Sequence, residues 1–138
     1  MSTMRLQFTK ASGKPMGLTY ATVRIQGLAR DRDAYEATFL VDTGAFDCLA
    51  PASALHAAGV RPEGVGRYEL ANGEILELAY GFSILSFMDS LATGRVIFGP
   101  EGVEPILGVL ALESAGVVVD PVTQTLKRLA TRHLKRAA

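Results

Sequence analysis

One Asp-Thr-Gly tripeptide, residues 42–44, is the part of this sequence best suited to chemistry. It follows the apolar run "FLV" and precedes "AFDCLAP", in which Pro51 restarts the chain as a helix. Gly44 permits a tight turn, so the pattern places the Asp42 carboxylate at the end of a buried strand, partly desolvated and stiffly held. A carboxylate held in this way is a candidate general acid or base. The alternative is an aspartate that only caps a turn at a strand end.

Cys48 and His56 suggest a second kind of chemistry, a thiol nucleophile with a neighbouring base. The sequence offers no third group that would orient the histidine. We therefore predict a buried Cys48 on a strand and a His56 on the surface of a helix. One cysteine and two histidines can form neither an internal disulfide nor a structural zinc site, and we expect no metal or other cofactor.

The elements that must position these residues are mostly short β-prone segments separated by turn signals. This pattern predicts a small, mainly β barrel or sandwich with two short helices. The predicted hairpin at 68–80 turns at Asn72-Gly73, a dipeptide that supplies the positive φ angles of a two-residue turn. The other predicted elements are strands at 18–27, 34–41, 94–99, 117–121 and 124–129, and helices at 51–60 and 107–116.

The composition is that of an ordinary globular protein. The chain has 138 residues, of which 49% are hydrophobic and 20% charged, so we expect one domain at 1–138, with a core at about 18–129. The formal net charge of zero gives no indication of a nucleic-acid or membrane partner. The start "MSTMRLQFTK" has no apolar h-region, so we expect no signal peptide and a cytoplasmic location. The basic tail at about 130–138, which includes His133, is expected to be a solvated and partly frayed terminus.

The stretch "LVDTGAFDCLAP" resembles the active-site loop of retropepsin-like aspartic proteases, the group that contains retroviral proteases and small bacterial relatives. The hairpin "YELANGEILEL" stands where that family has the flap that closes over substrate. The segment "EPILGVLALESAGVVVDP" is similar to the family's later apolar-apolar-Gly segment, here 106–108, which packs beneath the catalytic loop. The resemblance covers about residues 18–129 and is closest to the bacterial single-domain members. It implies a small closed β-barrel with one or two short helices.

The chemistry of that family requires two carboxylates that face each other across one water. Like charges so close cannot both ionise, so one member acts as base toward the water while the other, protonated, polarises the scissile carbonyl. The sequence has no second Asp-Thr/Ser-Gly, because Asp89-Ser90-Leu91 and Asp120-Pro121-Val122 do not fit. The resemblance therefore implies a homodimer in which Asp42 of each chain meets on the two-fold axis.

The same resemblance assigns a role to each residue of the loop. Asp42 would be the catalytic carboxylate, Thr43 would hydrogen-bond across the dimer axis, and the Gly44 N–H would support the carboxylates. An extended peptide or protein segment would bind by main-chain hydrogen bonds. The residues expected to line its cleft are Ala45, Phe46, Leu70, Ala71, Asn72 and Gly73.

Phe46 departs from the retroviral pattern, which has an Asp there, paired with an Arg at the position of Val109. Because both partners are apolar in this chain, we predict that packing of Phe46 against Val109 replaces the ion pair. Asp47 is predicted to be a turn residue outside the motif. The departure leaves open a dimeric peptide-binding or scaffolding module without turnover. A third alternative is an enzyme that cleaves only a longer precursor of itself.

Overall fold

Short strands dominate the chain, as the turn signals predict. The computed structural model describes residues 3–5, 18–70, 72–132 and 134. Its strands are β1 Thr3–Arg5, β2 Thr19–Gly27, β3 Tyr35–Asp42, β4 Cys48–Pro51, β5 Gly64–Glu69, β6 Ile75–Phe87, β7 Ser90–Gly99, β8 Ile106–Gly108, β9 Val117–Asp120 and β10 Thr125–Arg128. Its helices are α1 Ala52–Ala57 and α2 Val109–Ala115.

Six of the strands close into a barrel. In the order β6-β2-β3-β8-β4-β7 each strand pairs with the next, and β7 pairs back with β6. β5 and β1 extend the sheet outward from β6, whereas β9 and β10 form a separate two-stranded sheet. β3–β8 and β4–β7 are parallel pairs, and the strands predicted at 18–27 and 34–41 form the antiparallel hairpin β2–β3. The predicted fold class, mainly β with a small closed barrel and short helices, is confirmed.

The core follows the alternation of these strands. Val23, Ile25 and Phe39 are fully buried in the larger of two apolar clusters, while the intervening Arg24 is exposed. Burying each large apolar side chain contributes about 1.5–3 kcal/mol, so packing outweighs local propensity. A smaller cluster lies next to the candidate site and is formed by Ala45, Leu49, Tyr68, Ile97 and Ile106.

Both helices are too short to be stable alone, so tertiary contacts must hold them. In α1, Leu55 is fully buried, and Glu101 accepts hydrogen bonds from the Ser53 N–H at 3.1 Å and from the Ser53 hydroxyl. Gly59 (φ +83°) and Gly116 (φ +70°) follow the two helices with the left-handed backbone that ends many helices. Within the described residues, no helix is long and apolar enough to cross a membrane.

The β5–β6 hairpin forms as predicted, but its two-residue turn does not. The Leu70 N–H donates to the Glu74 carbonyl at 2.7 Å, and the Gly73 N–H donates to the Leu70 carbonyl at 2.9 Å. Three residues therefore span the turn, with Gly73 at φ +88°. The Asn72 side chain accepts the Glu74 N–H at 2.9 Å, which stabilises this wider turn over the tighter one.

The β6–β7 hairpin was not predicted at all. β6 continues to Phe87, and the chain reverses through Met88 (φ 54°) and Asp89 (φ 56°). Two successive positive φ angles suit a tight hairpin turn, but the sequence has neither glycine nor asparagine there. Without such a local signal, the turn is stabilised by the long pairing of β6 with β7.

The strand predicted at 124–129 is present as β10, and the start of the basic tail beyond it is attached to the fold through Arg132. Lys127 and Arg128 lie in β10, and the Leu129 N–H donates to the Gly116 carbonyl at 2.9 Å. His133 and residues 135–138 lie outside the described residues, so the prediction for them stays untested. The N-terminal stretch behind the signal-peptide expectation also lies outside them, apart from residues 3–5.

Arg132 ties this segment to α2. Its guanidinium donates to the carbonyls of Ser114 at 2.9 Å and Glu113 at 3.0 Å, in the last turn of the helix. The last carbonyls of a helix lack partners within it, although that of Glu113 also accepts the Gly116 N–H at 3.1 Å. A cation at this end also interacts favourably with the helix dipole.

Replacing Arg132 by Gln is expected to lower the free energy of unfolding by about 0.3–1 kcal/mol, the usual range for an exposed cation at a helix end. Urea denaturation of the full chain measures the change. Arg128→Gln, at an exposed position of β10, is the control and should shift stability by less than about 0.5 kcal/mol. An equal loss in both variants would contradict a specific cap by Arg132.

Candidate active site

Asp42 is the last residue of β3, a strand held on both sides by β2 and β8. The register with β8 pairs Val41 with Leu107 and Asp42 with Gly108. Leu40 and Val41 are buried, so the strand is fixed up to the point where the partly buried Asp42 leaves it. The predicted placement of a carboxylate at the end of a buried strand is confirmed.

The loop at 42–47 orients this carboxylate with its own main chain. The Gly44 N–H donates to Asp42 Oδ1 at 2.9 Å, and the Ala45 N–H donates to the Asp42 carbonyl at 3.1 Å. The contact that the resemblance implied between Gly44 and the carboxylate is therefore present. A side chain at position 44 would have little room, since a Cβ would lie 3.2 Å from Asp42 Oδ1.

The start of α2 anchors the loop from below. The Val109 N–H donates to the Ala45 carbonyl at 2.8 Å, and the Leu110 N–H donates to the Phe46 carbonyl at 3.3 Å. The first N–H groups of a helix lack partners inside it, so the loop carbonyls satisfy them. Loop and helix therefore form one hydrogen-bonded unit.

Gly108 makes this close approach possible. A Cβ at this position would lie 2.6 Å from the carbonyl oxygens of both Phe46 and Asp47, closer than side-chain carbons come to oxygen in proteins. Main chain cannot give way as a flexible side chain can. The glycine of the apolar-apolar-Gly segment is thus required for the loop to pack on β8.

One face of the loop is open to solvent in the single chain. Thr43 and Gly44 are exposed, and the Phe46 side chain is 62% exposed. Within the described part of the chain, no hydrogen bond to the Thr43 hydroxyl is present. The role of Thr43 across a dimer axis stays a prediction, and its position on the open face is compatible with that role.

Two of the predicted cleft residues, Ala45 and Leu70, come together in the structure. Ala45 is buried in the smaller apolar cluster, and Leu70 from the end of the β5–β6 hairpin packs against the same cluster. The turn end of the hairpin therefore packs against the same apolar cluster as the loop that carries Asp42. Asn72 and Gly73 are exposed at its tip, and their hydrogen bonds stay within the hairpin. Ala71 lies outside the described residues.

Ala45 itself is fully engaged within the chain. Its side chain is buried, its N–H is bonded to the Asp42 carbonyl, and its own carbonyl is bonded to the Val109 N–H. In this conformation it supports the loop. Its assignment to the peptide cleft stays a prediction.

The predicted packing of Phe46 on Val109 also stays a prediction. The two residues belong to segments joined by main-chain hydrogen bonds, but the Phe46 ring is largely exposed. With Leu110 it lines a cavity at the side of the loop.

Asp47 lies in the bend of the loop, as the prediction of a turn residue requires, but the sequence did not indicate that it is buried. It is only 8% exposed, directly before β4. Burial raises the pKa of its carboxyl group, and the positive charge of Arg95 partly opposes that rise. β4 and β7 run parallel with Cys48 opposite Val96, so Asp47 and Arg95 immediately precede that pair. An acidic residue directly before a buried strand could have indicated a buried carboxylate. The sequence could not identify Arg95 as its neighbour, because the pairing of β4 with β7 joins segments that are distant in the chain.

Arg95, the charged neighbour of Asp47, packs against aromatic side chains of the β5–β6 hairpin. The guanidinium lies 4.1 Å from the ring centre of Tyr80 and 5.9 Å from that of Phe82, both on β6. Such stacking holds a cation in place. Tyr68 on β5 is fully buried, and burial together with the negative charge of Asp47 raises the pKa of its hydroxyl.

The thiol alternative fails, as predicted. Cys48 is buried on β4, and burial raises the pKa of its thiol to about 12, so the reactive thiolate is not formed at neutral pH. His56 is exposed on α1 and stacks on Phe98, with ring centres 4.8 Å apart. Among the described residues, no three His, Cys, Asp or Glu side chains come together as metal ligands would.

The two aspartates that do not fit the motif have turn roles. Asp89 is part of the β6–β7 turn. Asp120 accepts hydrogen bonds from the N–H groups of Val122 at 2.9 Å and Thr123 at 3.3 Å, and these bonds lower the pKa of its carboxyl group. Asp120, like Asp42, ends a strand and accepts the N–H two residues further on at 2.9 Å, but its strand belongs to the separate two-stranded sheet and not to the barrel.

Fold and loop together define a small closed β-barrel that presents one main-chain-supported carboxylate at a strand end. No model of a known protein family matches the chain, and no curated protein matches its sequence. Among solved structures, the chain is similar to the crystal structure of a retropepsin-like aspartic protease from Rickettsia conorii. The sequences are 21% identical, the match covers 78% of this chain and 88% of that one, and the TM-score is 0.45. A similarity at this level does not by itself assign an activity.

Proposed function

We propose that this chain is the subunit of a homodimeric retropepsin-like aspartic endopeptidase, whose catalytic dyad is Asp42 from each of two chains. The observation that carries the proposal is the hydrogen bond from the Gly44 N–H to Asp42 Oδ1, on an open loop at the end of a buried strand. A main-chain donor on one oxygen fixes the plane of the carboxylate. Two such loops related by a two-fold axis could hold one water between them.

A second chain is needed because one carboxylate cannot be base and acid at once. The ionised Asp42 takes a proton from the water, whose oxygen bonds to the scissile carbonyl carbon. The protonated Asp42 of the other chain donates its proton to the carbonyl oxygen. As the resulting tetrahedral diol collapses and the C–N bond breaks, the leaving amine takes the proton from the now protonated Asp42, and one diol hydroxyl returns its proton to the ionised Asp42 of the other chain, which restores the singly protonated dyad.

The β5–β6 hairpin is proposed as the flap, since Leu70 beside its turn packs on the apolar cluster that contains Ala45 of the loop, and its tip is exposed. We further propose that residues 18–129 act as one catalytic domain, on a peptide or protein substrate in the cytoplasm, without metal or cofactor. The backbone of an extended substrate would pair with hairpin and loop as an added strand.

A mixed peptide library tests this function. Incubated with the full chain at mildly acidic and at neutral pH, it should be cleaved more at acidic pH, because two ionised Asp42 side chains share no proton. A transition-state-mimicking inhibitor should block the cleavage. Native sizing should place the activity in a dimer, and full activity in a strictly monomeric fraction would refute the dyad.

The exposed Phe46 ring favours a second candidate, a dimeric peptide-binding or scaffolding module, because a large apolar side chain beside the motif reshapes the cleft. The same library distinguishes the two functions. Retention of peptides without any inhibitor-sensitive cleavage would support the binding module.

A further inference from the structure

A cavity of about 690 Å³ opens beside the catalytic loop. Its walls include four partly exposed apolar side chains, Leu28, Phe46, Phe82 and Leu110. Phe46 and Leu110 are joined by a main-chain hydrogen bond of 3.3 Å, so this wall is rigidly connected to the loop that carries Asp42. The cavity is therefore placed to receive part of any peptide that reaches the loop.

Asp47 and Arg95 are the charged residues that line the cavity. Asp47 is 8% exposed, and its carboxylate receives no hydrogen bond from any described residue. Arg95 is held over the Tyr80 ring at 4.1 Å. The Asp47 oxygens keep some contact with solvent, but at this low exposure a hydrogen bond to them is strengthened, so a donor from a ligand that replaces water there would be stabilised.

The surroundings favour a neutral donor over a cation. The formal charges of Asp47 and Arg95 cancel, so a third charge among the apolar walls would be uncompensated. The Asp47 carboxylate offers an acceptor to a hydrogen-bond donor on a ligand. The rings of Phe46 and Phe82 suit an aromatic partner, which packs on other rings with additional affinity. Tryptophan and tyrosine combine an aromatic body with a donor.

We propose that this cavity is a subsite for a tryptophan or tyrosine side chain of the bound peptide. Its ring packs among Phe46, Phe82 and Leu110, and its N–H or O–H donates to Asp47. None of residues 42–44 lines the cavity, so the recognised side chain lies away from the scissile bond. The inference rests on the proposed function in one respect: both take the ligand that binds at the loop to be a peptide.

Binding without turnover tests the subsite apart from catalysis. Asp42→Asn protein is titrated with fluorescein-labelled extended peptides that carry Trp, Tyr, Phe, Leu or Lys at one position, which is moved along the peptide. At one position the Trp and Tyr peptides should bind at least about tenfold more tightly than the Phe peptide, as a hydrogen bond to a carboxylate would give. Lys should give no such gain.

Second substitutions in the same background locate the effect. Asp47→Asn should reduce the preference for Tyr over Phe to about threefold or less, because a neutral amide accepts a weaker hydrogen bond. Leu110→Ala should weaken binding of Trp, Tyr and Phe peptides alike, since it removes a wall. Leu91→Ala, at a leucine that is 63% exposed and outside this cavity, is the matched control and should change nothing.

Equal affinity for Tyr and Phe at every position, a preference for Lys, or equal losses in Leu110→Ala and Leu91→Ala would each overturn the subsite. Absence of binding by every peptide would also overturn it. Failure of the proposed function appears separately, as absence of library cleavage by the unsubstituted protein. Peptide binding with the predicted preference, but without cleavage, would retain the subsite and reject the peptidase.

Discussion

Asp42→Asn protein is expected to fold and to dimerise but to cleave no peptide. The asparagine has the same shape, and its side-chain oxygen can still accept the Gly44 N–H that holds Asp42 Oδ1 at 2.9 Å. It cannot take a proton from water, so we expect the cleavage rate to fall by about 10²–10⁴-fold or more. Initial rates on a library-derived peptide measure the loss, and circular dichroism with native sizing checks the fold and the dimer.

Asp89→Asn is the matched control for this substitution. Asp89 is also an aspartate in a turn, and asparagine tolerates its positive φ of 56°. Cleavage should continue at an unchanged rate in this variant. Surviving peptidase activity in Asp42→Asn would refute the catalytic assignment, and an equal loss in both variants would point to a general effect on the fold.

A mixed dimer provides a further test of the dyad. If Asp42 of each chain contributes one carboxylate, a dimer of one unsubstituted and one Asp42→Asn chain has a single carboxylate. It therefore lacks the second carboxyl group that would act as acid while the first acts as base. Excess Asp42→Asn chain, mixed with unsubstituted chain and allowed to exchange, should therefore suppress the activity of the latter. Activity that is unaffected despite demonstrated exchange would show that each chain acts alone.

Gly108→Ala is expected to have the largest effect on the architecture of the site. The added Cβ would lie 2.6 Å from two main-chain oxygens, those of Phe46 and Asp47, so the loop must move away from β8. Forcing an extra carbon into such a contact typically costs about 1–3 kcal/mol of stability. The hydrogen bonds from the start of α2 to the loop would lengthen at the same time, so we expect cleavage to be lost even where the chain still folds.

Gly94→Ala is the stability control for this change. A Cβ there would meet the Leu85 side chain at 3.6 Å, an ordinary contact, and should shift stability by less than about 0.5 kcal/mol. Chemical denaturation of both variants measures the difference. If Gly108→Ala is as stable as the unsubstituted chain, the close packing of the loop on β8 is wrong.

The loop that carries Asp42 shows how much of the structure the local sequence can predict. The apolar residues before Asp42, the turn-permitting Gly44 and the helix after Pro51 predicted a strand end that carries a carboxylate, and the structure has one. Gly59 and Gly116 likewise ended the two predicted helices, because a left-handed residue is a local requirement. These features depend on neighbours in the chain, so composition and spacing were sufficient.

Apart from the turn at Asn72-Gly73, which a local hydrogen bond widens, the errors arise where partners are distant in sequence. Met88 and Asp89 carry no turn signal and turn because β6 and β7 pair along their length. β1 had no signal as a strand of three residues, and it exists only through its parallel pairing with β5. Arg132 appeared to be part of a solvated tail until the fold brought it to the end of α2.

By itself, the sequence determined the strand-end motif, the order of hairpin and late helix, and the absence of a second Asp-Thr-Gly. Only the tertiary structure decided that Gly108 lies under the loop and that Asp47 is buried beside Arg95. The physical reason is that a parallel strand pair brings together residues with no local connection, and burial then changes what each can do. For Asp47, that contact converted an ordinary turn acid into a buried acceptor on the wall of an apolar cavity.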